Sequence, residues 1–198
     1  MSLIFYNSPM STASITELVL AELDVPCEKV RVDLKKGETR TPDYLLLNPN
    51  GKVPLLVHDG VSIWESAAIT LYLGETFGVE KKLYPPPGTK RGEAMKWIAW
   101  GNVTLAEPGV RLSASLSPGN AGAAEKARVD LAGCLKILDD DLAGKQFLLG
   151  GYSLADTHLC SIVGWLGMMR VDMQPFANVT GWMQRCGQRP VFARMMAG

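Results

Sequence analysis

Residues 48–66, NPNGKVPLLVHDGVSIWES, combine the residue types suited to holding a small extended peptide against the chain's own backbone. Asn-Pro-Asn-Gly is a turn by mechanism, because Pro49 presets φ while Asn50 and Gly51 tolerate positive φ. Pro54 has no N–H for a sheet ladder, so it belongs at the first residue or an edge of the strand expected over residues 55–57. If the Val53–Pro54 bond is cis, the N–H and C=O of Val53 face an extended ligand rather than a neighbouring strand. Glu65 and Ser66 fall where a short strand over residues 61–64 gives way to a helix. A helix start offers unpaired N–H groups and the positive end of the dipole, which stabilise a carboxylate, while Glu65 is placed to hold an amine beside it. An ammonium and a carboxylate side by side describe the α-end of an amino acid.

The strands and helices that carry these groups are read from periodicity. Residues 3–6 form a short apolar run bounded by Asn7, Ser8 and Pro9, which reads as a buried strand. Ile15, Leu18, Val19 and Leu23 share one helical face, and Asp24, Val25 and Pro26 end that helix. Val30 and Val32 alternate with Lys29, Arg31 and Asp33 in a half-buried strand. Residues 42–47 suit a short helix with Pro42 in its first turn. Asp59-Gly60 signals a hairpin, and the following helix should bury Ile69, Tyr72, Leu73 and Phe77. The order βαβ, α, ββα implies helices packed on a mixed sheet over residues 1–77.

Residues 78–88 end in Pro85-Pro86-Pro87-Gly88 and read as a stiff connector. Residues 89–198 show only helical patterning. One helix is expected over about residues 90–107, kinked or ended by Pro108-Gly109, with a Ser-rich piece to Pro118 after it. Leu131, Cys134, Leu135, Leu138 and Leu142 mark another helical face, stopped by Gly144. Ser153-Leu154-Ala155-Asp156 has the shape of a capping box with Asp in place of Glu. A final helix is expected over about residues 179–189, halted before Pro190.

Composition narrows the function classes. The 198 residues are 47% hydrophobic with mean hydropathy +0.07, enough apolar material for a folded core in two modest domains. Lys plus Arg and Asp plus Glu balance at 20 each, so nothing in the charge recruits nucleic acid or an anionic membrane. No secretory signal is visible at the N-terminus, and the apolar residues 154–169 are interrupted by Asp156, Thr157 and His158, which argues against a membrane span. The four cysteines, Cys27, Cys134, Cys160 and Cys186, lack metal-ligand spacing and read as reduced thiols of a cytoplasmic protein. His58 and His158 are too few and too far apart for a zinc site, so no metal is expected.

NPNGKVP and WESAAI, preceded by SPMSTASI and VDLKKGETRTPDYLLLNP, resemble the glutathione S-transferases, most closely their phi class. The likeness is nearly continuous over the first domain and looser over the second. It implies a thioredoxin-like domain followed by an all-helical one, with glutathione as co-substrate, no metal or prosthetic group, and a homodimer. It also implies thiolate chemistry, in which Ser11 at the start of the first helix donates its hydroxyl to the glutathione sulfur. Thr12, Ser14 and Ser8 compete for that place, and Ser11 also suits an N-cap. Ser8-Pro9-Met10-Ser11 has the shape of the glutaredoxin C-P-x-C turn without either cysteine, so dithiol exchange there is not expected.

By the same resemblance Val53 pairs its backbone with the cysteinyl unit, and Glu65 with Ser66 holds the γ-glutamyl end. Arg40 and Lys52 meet the glycine carboxylate. Phi enzymes commonly carry His-Lys where this chain has Thr39-Arg40, and Gln where it has Lys52, so positive charge at that end is kept or increased. A small hydrophobic electrophile is expected between the domains, lined by Met10, Trp100, Thr104, Glu107 and Arg111, the last four at helical spacing. The expected activity is conjugation in detoxification. Peroxide reduction or isomerisation through the same thiolate is the alternative within enzymology, and a transferase-shaped binding module is the alternative outside it.

Overall fold

The computed structural model describes residues 2–115 and 121–197. Strand β1 (Leu3–Asn7) alternates inward and outward residues, with Phe5 fully buried. Helix α1 (Ala13–Glu22) leads back to β2 (Glu28–Arg31), which runs parallel to β1. Helix α2 (Pro42–Leu47) opens with proline at its first position, and Thr41 Oγ1 caps it by accepting from the Tyr44 N–H at 3.4 Å. Strand β3 (Leu55–His58) lies antiparallel to β1, and β4 (Val61–Trp64) antiparallel to β3, giving the order β2-β1-β3-β4. Helix α3 (Ser66–Leu73) then runs into a π turn at Gly74–Gly78.

Register decides where the functional groups fall. Tyr6 is opposite Leu55, and Leu55 is opposite Trp64, so the chain leaves β1 and β4 and enters β3 at one end of the sheet. Two residues further along each path stand Ser8, Val53 and Ser66.

Beyond the connector the described residues are helical apart from one bridge between Leu149 and Gly151. In order come α4 (Thr89–Trp100), a second π turn (Gly101–Leu105), α5 (Ala106–Ser115), α6 (Ala121–Leu142), α7 (Leu154–Met168), α8 (Ala177–Gly187) and α9 (Pro190–Ala197). The fold is thus a thioredoxin-like domain with a four-stranded mixed sheet, followed by an all-helical domain. Helix α7 packs against both α1 and α4 and joins the halves. The expected capping box holds its start. Asp156, fully buried, accepts from the Ser153 N–H, the Leu148 N–H and Trp182 Nε1, each at 2.9 Å. Burial pushes the Asp156 carboxyl up, and those donors pull it back.

Two expectations require correction. Pro108 neither ends nor breaks the helix, which continues through it to Ser115. Its missing N–H leaves the Thr104 carbonyl without the usual partner four residues on, and the Cys134 thiol donates there at 3.7 Å. Pro190 does not close the chain's helical part. It opens α9, where a first-turn proline forfeits no hydrogen bond. Of the Ser-rich piece, Ser113 and Ser115 belong to α5, while residues 116–120 lie outside the described residues.

Candidate functional site at the sheet end

The loop from β1 to α1 carries Met10 in the left-handed region (φ 56°) and 92% exposed. The residue after it is Ser11. Its hydroxyl donates to the Ser8 carbonyl at 2.6 Å, and its oxygen accepts from the Ala13 N–H, the first of α1, at 3.2 Å. Ser11 therefore caps α1 from just outside, with its oxygen in the field of the helix N-terminus. The competing hydroxyls have other partners: Thr12 Oγ1 donates to the Val53 carbonyl at 3.3 Å, and Ser14 Oγ to the Ser11 carbonyl at 2.9 Å.

The Thr12 bond ties the start of α1 to the turn before β3. The Val53–Pro54 peptide is cis, and among the described residues no protein group accepts the Val53 N–H. What fixes Val53 lies one residue earlier. The Lys52 carbonyl accepts from the Tyr44 hydroxyl at 2.8 Å and from Asn48 Nδ2 at 2.7 Å. Asn48, 2% exposed, also accepts the Asn50 N–H at 3.0 Å, an Asx turn inside the NPNG motif. Burial pushes the Tyr44 phenol up to about 12, so it remains a donor at all ordinary pH. Arg40 lies across Gly51, where a Cβ would stand 2.6 Å from Nη1, and its guanidinium donates to the Asn50 carbonyl at 3.2 Å. Arg40 and Lys52 are exposed, and among the described residues neither has a carboxylate partner.

Glu65 sits at the N-cap of α3 with φ 73°, a left-handed conformation uncommon for a side chain larger than glycine. Glu65 is exposed and Ser66 buried. Ser66 Oγ accepts from Asn102 Nδ2 at 2.9 Å, Asn102 Oδ1 meets His158 Nε2 at 2.7 Å, and His158 Nδ1 meets Thr70 Oγ1 at 2.9 Å. His158 is fully buried, and burial alone holds its pKa down at about 3, so the ring is neutral.

The sheet end thus gathers Ser11, Val53, Glu65 and Ser66, with Arg40 and Lys52 on the adjoining turn. Of the expected electrophile set, Met10 sits on the loop beside Ser11, and three others share a groove with α6. Thr104, Glu107 and Arg111 line a groove of about 460 Å³ against Val129, Asp130 and Cys134 of α6. There Arg111 pairs with Glu107 at 2.7 Å and with Asp130 at 2.6 Å. Met10 and Trp100 are not among that groove's residues, and Trp100 packs edge-on against Trp97 at 5.2 Å. The spacing argument assumes uniform winding, whereas the π turn between Trp100 and Ala106 hydrogen-bonds i→i+5 and rotates the residues after it.

Sequence reasoning missed Tyr44, Asn48, Thr70, Asn102 and His158. Asn48 had a readable signal in its turn motif. Asn102 had none, and His158 was considered only as a metal ligand and as a polar break in an apolar stretch. Among the described residues no group of three or more His, Cys, Asp or Glu is arranged to hold a metal ion, and no helix is long and apolar enough to cross a membrane.

Known proteins match the chain in both halves. Residues 1–75 match the glutathione S-transferase N-terminal domain and residues 94–190 the C-terminal domain. The chain is 30% identical over 190 residues to Glutathione S-transferase GstB of Escherichia coli K12, covering 90% of this chain and 89% of that one. It superposes on poplar glutathione transferase F1 with a TM-score of 0.88 at 25% identity, covering 100% of this chain and 97% of that one. A glutathione transferase of Phanerochaete chrysosporium in complex with oxidized glutathione shares the fold at TM-score 0.90 and 22% identity, covering 99% and 95% of the two chains. With both domain models matched over most of its length, the chain belongs to the glutathione S-transferase family.

Proposed function

We propose that this chain conjugates the thiolate of glutathione to small hydrophobic electrophiles, as a phi-like member of its family. The observation that carries the reading is the shared sheet end of Ser11, the Val53 backbone and the Glu65-Ser66 helix start. The MST stretch with a serine at position 11, and the likeness to poplar F1, favour the phi-like assignment. In this reading the tripeptide lies extended along Val53, its γ-glutamyl end at Glu65 and Ser66 and its glycine carboxylate at Arg40 and Lys52.

The chemistry asked of Ser11 has a definite size. A free thiol has a pKa near 8.5, and lowering it by about two units takes roughly 2.7 kcal/mol of preferential stabilisation of the anion. When sulfur arrives, the Ser11 hydroxyl turns from the Ser8 carbonyl to the thiolate. The Ala13 N–H stays on its oxygen and polarises the O–H bond, strengthening the donation. On the same reading Met10 stands on the electrophile side, and Thr104, Glu107 and Arg111 belong to the α5–α6 groove instead. Residues 78–88 separate a glutathione-binding domain from the helical one, and the protein is a cytoplasmic homodimer of the detoxifying kind.

One observation favours a second reading, uptake of glutathione without turnover: the Ser11 hydroxyl is already committed to a backbone carbonyl at 2.6 Å. Calorimetry with glutathione, followed by turnover on activated aryl halides and hydroperoxides, separates the readings. Saturable binding with aryl-halide conjugation is the expected result, and a rate confined to hydroperoxides selects the peroxidase alternative. Binding with no rate on either panel selects the module. Absence of saturable uptake at millimolar glutathione overturns all of them.

A further inference from the structure

Asn102 occupies the second position of the π turn, where α4 passes closest to α7: a Cβ on neighbouring Gly101 would stand 2.9 Å from Leu159 Cδ1. Single π turns occur disproportionately at functional positions, and this one turns an amide side chain toward the first domain. The amide fixes the direction of every bond it joins. Its nitrogen donates to Ser66 Oγ and its oxygen accepts from His158, so Nε2 of a neutral ring must carry the hydrogen. His158 Nδ1 is then an acceptor, and the Thr70 hydroxyl must supply the proton between them. The chain of donation runs Thr70 to His158 to Asn102 to Ser66. With a lone pair of Ser66 Oγ engaged by the amide, its single hydrogen is left for a partner outside the network.

We propose that Asn102, His158 and Thr70 are positioning residues that set Ser66 as a hydrogen-bond donor to the α-carboxylate of a bound γ-glutamyl group. The inference rests on the proposed glutathione site and adds what that site lacks, a reason for the hydroxyl to give rather than accept. A serine hydroxyl is indifferent to direction in water; here three buried or half-buried neutral groups make the choice. Because the donors come from α3 and from the helical domain in turn, this end of the groove is complete only when the two domains are docked. A neutral network also leaves the charge on the ligand's own ammonium and carboxylate, which Glu65 and the α3 N-terminus complement directly.

Nitrogen NMR of the histidine rings in the intact protein tests the direction of donation. The Nε2–H tautomer of His158 is expected from about pH 5 to about pH 8. The Nδ1–H tautomer would reverse the chain, make Ser66 an acceptor and overturn the proposal. Calorimetry of Asn102→Asp supplies the second arm, since a carboxylate draws the Ser66 hydrogen onto itself. Glutathione affinity should fall about tenfold or more, and affinity for γ-aminobutyryl-cysteinyl-glycine, which lacks the α-carboxylate, by less than about twofold. Equal loss for both ligands, or loss for neither, would show that Asn102 only holds the fold.

Should that variant not fold, Thr70→Val keeps the shape and removes the first donor. It is expected to mix the His158 tautomers and weaken glutathione about threefold, and wild-type behaviour in both measurements overturns the inference. Failure of the wild type to take up glutathione sinks the proposed function instead. The tautomer measurement, made without ligand, still reads the network by itself.

Discussion

Two polar networks stand on either side of the π turn at Gly101–Leu105, and they are built on opposite principles. Toward the sheet end, Ser66, Asn102, His158 and Thr70 form a neutral chain, with all but Asn102 buried. Toward α6, Arg111 bridges Glu107 and Asp130 with full charges in partial contact with solvent. Hydrogen bonds that Arg111 donates to Glu107 and Asp130 raise its pKa further above its usual range, so this group is always charged. Exposed ion pairs are screened and contribute little, whereas a buried neutral chain has few alternative arrangements. The more strongly charged residues are thus those less able to hold a ligand in one pose.

The comparison can be broken at several points. Ser11→Ala removes the hydroxyl proposed to donate to the glutathione sulfur, and kcat/KM for an activated aryl halide should fall about 100-fold at neutral pH. An unchanged rate removes Ser11 from the mechanism. Asn48→Ala removes the side chain that donates to the Lys52 carbonyl and accepts the Asn50 N–H in the turn beneath Val53. Urea unfolding should show a loss of about 2 kcal/mol, together with weaker glutathione binding; a loss of stability with unchanged binding would detach the turn from the site.

His158 gives a pH signature. Its folded pKa of about 3 lies below its ordinary 6.5, so the unfolded chain takes up the proton first as pH falls. Its contribution is complete above about pH 6.5 and is lost toward pH 3 at up to about 1.4 kcal/mol per pH unit. His158→Gln should flatten stability against pH over that window, measured by urea unfolding at several pH values. A slope unaltered by the substitution would mean that other groups dominate acid unfolding. Arg111→Gln, on the other face, should leave both the thermal midpoint and turnover at wild-type values, and a drop in either would bring the α5–α6 groove into the machinery.

Legibility in the sequence tracks the range of the interactions. Helix α2 was readable to its first and last residues because Pro42 and the Asn48-Pro49 pair act locally. The strands around Asp59-Gly60 were readable from alternation and turn chemistry. The sheet end was approached through a motif whose members lie within 19 residues of one another, from Asn48 to Ser66. Asn102 and His158 are 56 positions apart, and the bond between them exists only after α4 and α7 dock. Nothing in a polar residue on an otherwise helical stretch announces a π turn, so periodicity alone does not fix the face on which Thr104, Glu107 and Arg111 lie.

The sulfur of Cys134 beneath Pro108 makes two positions 26 apart into one choice. With proline at 108, the Thr104 oxygen lacks its i+4 peptide hydrogen and takes a thiol from the adjacent helix; with alanine there, a peptide hydrogen is available and the thiol is expected to matter less. Replacing Cys134 by alanine therefore harms the native protein more than it harms the Pro108→Ala background, a coupling that a double-mutant cycle reads directly. Substitutions at these two sites are expected to travel together among descendants of this chain.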